Sequence, residues 1–280
     1  MAWLKRPFLC HILASAALVT LAALASCSPE GEGPVGTLAP ASPAFAPASP
    51  VPAYSPEVVQ LWRTWRQATA LSLPLRGVLY VSQGWDGRDP THYGRWRYAI
   101  DFIMLGPDGR RYAGTGARSA DYYIWGQPVY AAAAGTVVKV ENGLPDRLPG
   151  QPAAGSEAWG NHVVISHAGG EYSEYSHLKE GSIKVTLGQT VNAGDPIAEV
   201  GSSGYAYEPH LHFQLQASAG MESATTLPAV FAQYYEIQRA YTRFARSARV
   251  VRSVPREGQY VSLTPLLRQA MKAASHVPAL

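Results

Sequence analysis

The chain has 280 residues, enough for one large domain with extensions or two small ones. With 47% apolar and 15% charged residues, 26 glycines, 22 prolines, 16 tyrosines and 7 tryptophans, it reads as a turn-rich β protein rather than a disordered polyelectrolyte or a coiled coil. The net charge is +3; without Lys5 and Arg6, which lie in an acid-free leader, 21 basic residues face 20 acidic ones, a balance that argues against a nucleic-acid surface.

Residues 1 to 26 run from Lys5 and Arg6 through the apolar stretch Phe8 to Leu24 to Ala25 and Ser26, the architecture of a secretory signal. The run Leu24-Ala25-Ser26-Cys27 resembles the lipobox of bacterial lipoproteins, which implies an acylated Cys27 at the mature N-terminus and anchorage in a lipid membrane. Cys10, inside the leader, is the only other cysteine, so no disulfide framework is expected. From 27 to 56 the chain is a Pro/Ala-rich tether, as in APASPAFAPASPVPAYSP, without apolar periodicity. An anchor followed by a spacer puts the folded part in the cell envelope, at some distance from the membrane. Residues 57 to 71 are expected to form a short amphipathic helix, with Ser55 as N-cap before Pro56.

Beyond the helix the pattern changes to period two. Strands are expected at 77–83 (GVLYVSQ), 97–104 (RYAIDFIM), 128–133, 135–142, 161–167, 171–178, around Ile197 to Val200, and at 210–216 (HLHFQLQ), separated by Gly-rich turns. They make residues 72 to 225 a mainly β domain, an antiparallel sheet flooring an open cleft, with short peripheral helices and a C-terminal extension from 226 to 280. In that extension Arg239, Arg243 and Arg246 recur at helical spacing and read as a solvated face. The long connections 105–126 and 143–160 are either solvated insertions or the walls of a binding groove. GQPVYAAAAG (126–135) resembles GQTVNAG (188–194), as half-barrel duplications do in biotinyl and lipoyl carriers. Lys139, inside the strand TVVKV, is not placed at a hairpin for modification, which sets the carrier reading aside.

The strongest chemical signal is His210-Leu211-His212. On a strand, residues i and i+2 share a face, so both imidazoles project into one groove while Leu211 and Phe213 face the core. Asp101 interrupts the apolar strand Tyr98 to Ile103, and a buried carboxylate needs a partner. A salt bridge to Arg95 or Arg97 is one solution. The other is a metal shared with His92, which a turn at Gly94 could fold back. Two neutral histidines, one carboxylate and a water make a tetrahedral zinc site with an open position, the nitrogens selecting zinc. His177 ends the strand Tyr172 to Leu178 and by itself carries little; His162 and His167 read as surface or turn residues.

Taken together, His92, Asp101, GQPVYAAAAGTVVKV, GNHVVISH, YSHL, GQTVNAGDPI and GSSGYAYEPHLHFQL resemble the lysostaphin-type, or LytM-domain, zinc metallopeptidases that cut peptide bonds in peptidoglycan, from about Gly77 to Leu215. The resemblance implies a duplicated hybrid motif fold with Zn2+ on His92, Asp101 and His212. His210 and His177 match the two catalytic histidines that are not ligands: His210 the general base, His177 a group that positions water or stabilises the oxyanion. It implies a lipid-anchored envelope endopeptidase; its runner-up is a LytM-type lipoprotein that has lost zinc and binds peptidoglycan or activates an amidase. Such inactive members lack several of the five residues, all of which are present here. One departure stands out: most of the family has its first ligand four residues before the aspartate, where this chain has Arg97, and His92 lies nine residues before. Oligomeric state and the bond cut carry no signature in the sequence.

Overall fold

The computed structural model describes residues 60, 64–85, 92–153, 155–221 and 225–266; the leader, the lipobox and the tether lie outside them. Among the described residues the fold is mainly β. Its helical pieces are single turns, such as Gly94–Trp96 and Ser119–Asp121, and no described helix is long and apolar enough to cross a membrane.

Eight strands match the expected ones: β1 Leu79–Gln83, β2 Ile100–Ile103, β3 Pro128–Tyr130, β4 Gly135–Glu141, β5 Asn161–Ser166, β6 Tyr172–Leu178, β8 Pro196–Glu199 and β9 Leu211–Gln216, with the short β7 Thr190–Val191 between β6 and β8. C-terminal to them lie β10 Thr226–Leu227, β11 Phe231–Gln238, β12 Arg246–Ser253 and β13 Tyr260–Ser262. One sheet runs in the order β12-β11-β13-β1-β2-β9-β6-β5-β4-β7, with β10 also on β9, while β3 and β8 form a separate pair. All its strand pairs are antiparallel.

Three expectations need correcting. The sheet does not end near residue 225: β13 pairs with β1 and β11 with β13, so the C-terminal segment extends the sheet itself. Arg239, Arg243 and Arg246 are exposed, as a solvated face requires, but not on a helix: the first two sit in the turn between β11 and β12 and Arg246 opens β12, where backbone pairing from Phe231↔Ser253 to Gln238↔Arg246 overrides the helical spacing. The helix expected over 57–71 falls partly outside the described residues. Gln60 and Thr64 are helical, but from Trp65 the chain is extended, because Leu71, Leu73 and Leu75 bury with period two and Leu71 bridges to Phe231.

The centre of the sheet, β2-β9-β6, positions the site. On β9, Leu211, Phe213 and Leu215 point into the core. There Phe213 meets Tyr175 at 5.3 Å and Phe231 at 5.7 Å between ring centroids, and Phe231 meets Phe102 at 6.5 Å. Each such ring contributes roughly 1.5–3 kcal/mol on burial. Strand alternation then turns His212, Gln214 and Gln216 to the opposite face. Register puts Asp101 of β2 opposite His212, and Ser176 of β6 opposite it on the other side.

Loop 143–160 is laced to the segment 201–207. Arg147 N–H donates to Ser202 O, Gly150 N–H to Tyr207 O, Ala153 N–H to Gly204 O, and Tyr205 N–H returns to Ala158 O. Gly204 makes this approach possible: its φ is +75°, and a Cβ there would lie 2.3 Å from the Gly160 nitrogen. Loop 105–126 joins the same wall through Ser119, whose hydroxyl donates to Arg147 O, and through an ion pair of Arg111 with Glu208. The long connections are therefore built parts of the region beside His210 rather than loose insertions.

Candidate active site

His92, Asp101, His177, His210 and His212 come together on the polar face of the central strands. Each histidine is oriented by a fixed acceptor on one ring nitrogen. His92 donates from Nδ1 to Gly84 O at 3.2 Å, His210 from Nδ1 to Glu208 O at 2.9 Å, and His177 from Nδ1 to Ser203 O at 2.9 Å. A carbonyl only accepts, so these three rings carry the Nδ1 proton and leave Nε2 with its lone pair. His212 is the reverse case, with Nε2 on Gln214 Oε1 at 3.1 Å and Nδ1 facing Asp101 Oδ1 at 3.0 Å.

Asp101 Oδ1 is the hub. It stands 3.4 Å from His92 Nε2, 3.0 Å from His212 Nδ1 and 3.9 Å from His210 Nε2. Ligand atoms of His92, Asp101 and His212 all lie within 4.8 Å of one another. Whether these residues fit a metal can be tested on this arrangement. Four-coordinate zinc with N and O ligands at about 2.1 Å needs neighbouring ligand atoms about 3.4 Å apart, and the two pairs to Asp101 stand at 3.4 and 3.0 Å. His92 Nε2 is buried without a hydrogen-bond partner, a costly arrangement unless a cation uses the lone pair. Each ligand imidazole also has its other nitrogen held by an outer acceptor, as metal-bound histidines require. The residues fit.

Electrostatics separates the roles of the rings. Burial would raise the Asp101 carboxyl, but the imidazoles of His92 and His210 and the hydrogen bond from His212 outweigh it and hold it well below the usual carboxylate range. For His212, burial opposes the charge, yet the bond and charge of Asp101 push its pKa up to about 9. A cation at this place does what that proton does, so the two compete. Burial, against the pull of Asp101, brings His210 down to about 4, and burial with the neighbouring imidazoles holds His177 well below the ordinary value. At neutral pH both are uncharged, with Nε2 free to accept a proton.

His177 reaches the site through a backbone irregularity. Between Asn161↔Leu178 and Val163↔Tyr175 the β5–β6 register slips, so that Ser176 and His177 stand opposite His162 alone. His177 takes φ = 60°, in the left-handed region. A bulge of this kind re-aims a side chain, and here it brings the His177 ring to 4.6 Å from that of His210. Trp159, from loop 143–160, closes the other side, 5.9 Å from His212 and 5.8 Å from Trp96.

Among the described residues the cationic groups within salt-bridge range of Asp101 are His92, His210 and His212, all imidazoles, and neither Arg95 nor Arg97 is one of them. His162 and His167, read as surface or turn residues, are buried at 6% exposure, the latter bonded to Ala134 O and the Ser173 hydroxyl. Sequence reasoning also missed Gln214 and Glu174, although the polar residues at alternate positions of HLHFQLQ were a legible signal for the first and the acid inside the strand EYSEYSHL for the second.

A pH dependence follows for the metal-free protein. His162, His167, His177 and His210 all have pKa values lowered by burial from an ordinary 6.5. Below 6.5 the unfolded chain therefore takes up protons that the folded one refuses, and stability falls as pH drops; His210 alone accounts for on the order of 3 kcal/mol between 6.5 and about 4. His212, raised to about 9, stabilises fully below 6.5 and loses that contribution as pH rises toward 9. Thermal unfolding of chelated protein should therefore show a maximum near neutrality, with Tm falling on both sides; a flat Tm from pH 7 down to 4.5 contradicts the burial of these rings.

The sequence model of Peptidase family M23 matches residues 118–223. The chain is 37% identical over 90 residues to the peptidoglycan DD-endopeptidase ShyA of Vibrio cholerae, covering 32% of this chain and 17% of that one. It is 32% identical over 126 residues to the lipoprotein NlpD/LppB homolog of Pseudomonas aeruginosa, covering 44% and 36%. With the murein hydrolase activator EnvC of Escherichia coli it shares 36% over 117 residues, covering 40% and 25%. The alignments span between 15% and 36% of the length of the curated relatives. The matched segment holds His177, His210 and His212, whereas His92 and Asp101 precede it and join it through the β2–β9 pairing.

Proposed function

We propose that this chain, whose residues 118–223 match the model of Peptidase family M23, is a zinc-dependent endopeptidase that hydrolyses peptide bonds in bacterial peptidoglycan, held in the cell envelope by a lipid on Cys27. The observation that carries the reading is the convergence of His92 Nε2, Asp101 Oδ1 and His212 Nδ1 beside two further imidazoles with free Nε2 atoms. A relative named as a peptidoglycan endopeptidase supports the substrate class. The lipoprotein relative supports the anchor, together with the run Leu24 to Cys27.

His92, Asp101 and His212 would hold the zinc. Bound there, zinc polarises a carbonyl and brings the pKa of water toward neutrality. The chain supplies the rest. His210, neutral and locked by Glu208 O, accepts the proton of the attacking water at Nε2 and passes it to the leaving amine. His177, locked by Ser203 O, offers its Nε2 lone pair toward the same space and orients the attacking water by accepting a hydrogen bond from it. Trp159 and the wall formed by 143–160 and 201–207 keep bulk water from one side of these rings.

A second reading, an activator of another wall hydrolase, is favoured by the relative named murein hydrolase activator. One experiment separates the two. Zinc-loaded protein is incubated with purified sacculi and the released muropeptides are profiled, with a parallel arm that adds an amidase. The endopeptidase reading expects new peptide-cleaved products from the protein alone, lost on chelation and restored by zinc. No products from zinc-replete protein, with stimulation of the amidase, establishes the activator reading instead.

A further inference from the structure

Behind the site lies a ladder of buried polar groups that the proposed reaction leaves unused. On β9, His212, Gln214 and Gln216 share one face; across from them β6 presents Ser176, Glu174 and Tyr172. Gln214, Gln216, Glu174 and Ser176 are wholly buried. Burying a carboxylate among apolar strands is costly unless its oxygens are bonded. Here both are: the Ser176 hydroxyl donates to Glu174 Oε1 at 2.5 Å, and the Gln214 amide donates to Oε2 at 2.6 Å.

The direction of every amide in this ladder is determined. The NH2 of Gln216 donates to Ser218 O at 2.7 Å, so its Oε1 faces Gln214. Gln214 thus meets two acceptors, Gln216 Oε1 at 2.5 Å and Glu174 Oε2 at 2.6 Å, and can satisfy both only with its NH2 end. Its Oε1 is then forced toward His212, where at 3.1 Å it accepts from Nε2. With the Nε2 proton fixed, the nitrogen left to bind a cation is Nδ1, the one that faces Asp101. Glu174 and Gln216, each two hydrogen bonds away, therefore decide together which nitrogen of His212 serves as ligand.

We propose that Glu174 and Gln214 are positioning residues that preset the tautomer and ring orientation of His212 and thereby set the zinc affinity of the site. The proposal rests on the metal-centre reading above. Partners of this kind typically govern metal affinity by 10–100-fold. A purely structural polar ladder accounts for fold stability, but not for a dependence of zinc affinity on the polarity of the chain.

The test measures the zinc dissociation constant of the full chain by competition with a chromophoric chelator, with the Tm of the zinc-free protein recorded for each variant. Gln214→Met, of similar length but without an acceptor, is expected to weaken zinc binding about 10–100-fold. Glu174→Gln, which leaves Gln216 Oε1 as the one acceptor that still fixes the Gln214 NH2, is expected to weaken it about tenfold. The exchange Glu174→Gln with Gln214→Glu, made together with Gln216→Met so that no acceptor faces the new carboxylate, restores an amide donating to a carboxylate that itself accepts from His212 Nε2, and should return the affinity to near the wild-type value. Single variants that bind zinc as tightly as wild type overturn the proposal, as does a folded exchange variant no tighter than Glu174→Gln. Should Gln214→Met fail to fold, Glu174→Gln and the exchange variant decide the matter. A wild-type protein that binds no zinc at all overturns the metal-centre reading instead, so the two failures are distinguishable.

Discussion

Asp101→Ala is expected to abolish stoichiometric zinc binding and to lower hydrolysis of peptidoglycan peptides by about a thousandfold or more. The carboxylate is the only anionic donor in the set His92, Asp101, His212, and it touches both nitrogen donors, at 3.4 and 3.0 Å. Without it two neutral imidazoles remain, too few for a stable tetrahedral site. The polarising effect of the metal is worth several kcal/mol, and each 1.36 kcal/mol is a factor of ten in rate. The loss should be accompanied by a fall in the His212 pKa, since Asp101 is what lifts it to about 9 against burial. Metal analysis of the purified variant, alongside muropeptide release, checks both parts. Retention of one zinc per chain rejects Asp101 as a ligand.

His210→Ala should give the opposite pattern, with zinc retained and turnover lost. His210 Nε2 lies 3.9 Å from Asp101 Oδ1, outside the tighter three-atom cluster, and its ring is held by a backbone carbonyl rather than by the ligand set. Removing a general base typically costs 10²–10⁴-fold, and the loss should fall in kcat rather than KM, because the imidazole acts on the proton in flight and not on the bound peptide. Zinc content, kcat and KM measured together decide the point. A zinc-loaded His210→Ala enzyme with wild-type kcat removes His210 from the reaction and leaves His177 as the base.

Much of this arrangement is legible in the primary structure. The alternation in HLHFQLQ puts His210 and His212 on one face, and the lone acid in YAIDFI marks Asp101 as a residue that needs a cation. Both readings use only the two-residue period of a strand and the cost of burying charge, which are local and hold in any fold. The same reasoning failed for the C-terminal strands. In β11 the residues that bury are Phe231, Tyr234 and Ile237, three apart, and most of β12 is exposed or half-exposed, so neither strand shows a clean alternation.

The amino-acid sequence by itself determined the strand segments of the central sheet and the chemistry of the donors, because periodicity and donor type reside in the residues themselves. Only the tertiary structure decided the rest. Cross-strand register set Asp101 against His212 over a separation of 111 residues. A bulge in β6 turned His177 toward His210. Hydrogen bonds from Gly84, Glu208, Ser203 and Gln214 assigned a nitrogen on each ring. Each of these depends on partners distant in the chain or on backbone carbonyls that carry no side-chain signature, and so becomes defined only when the strands are paired.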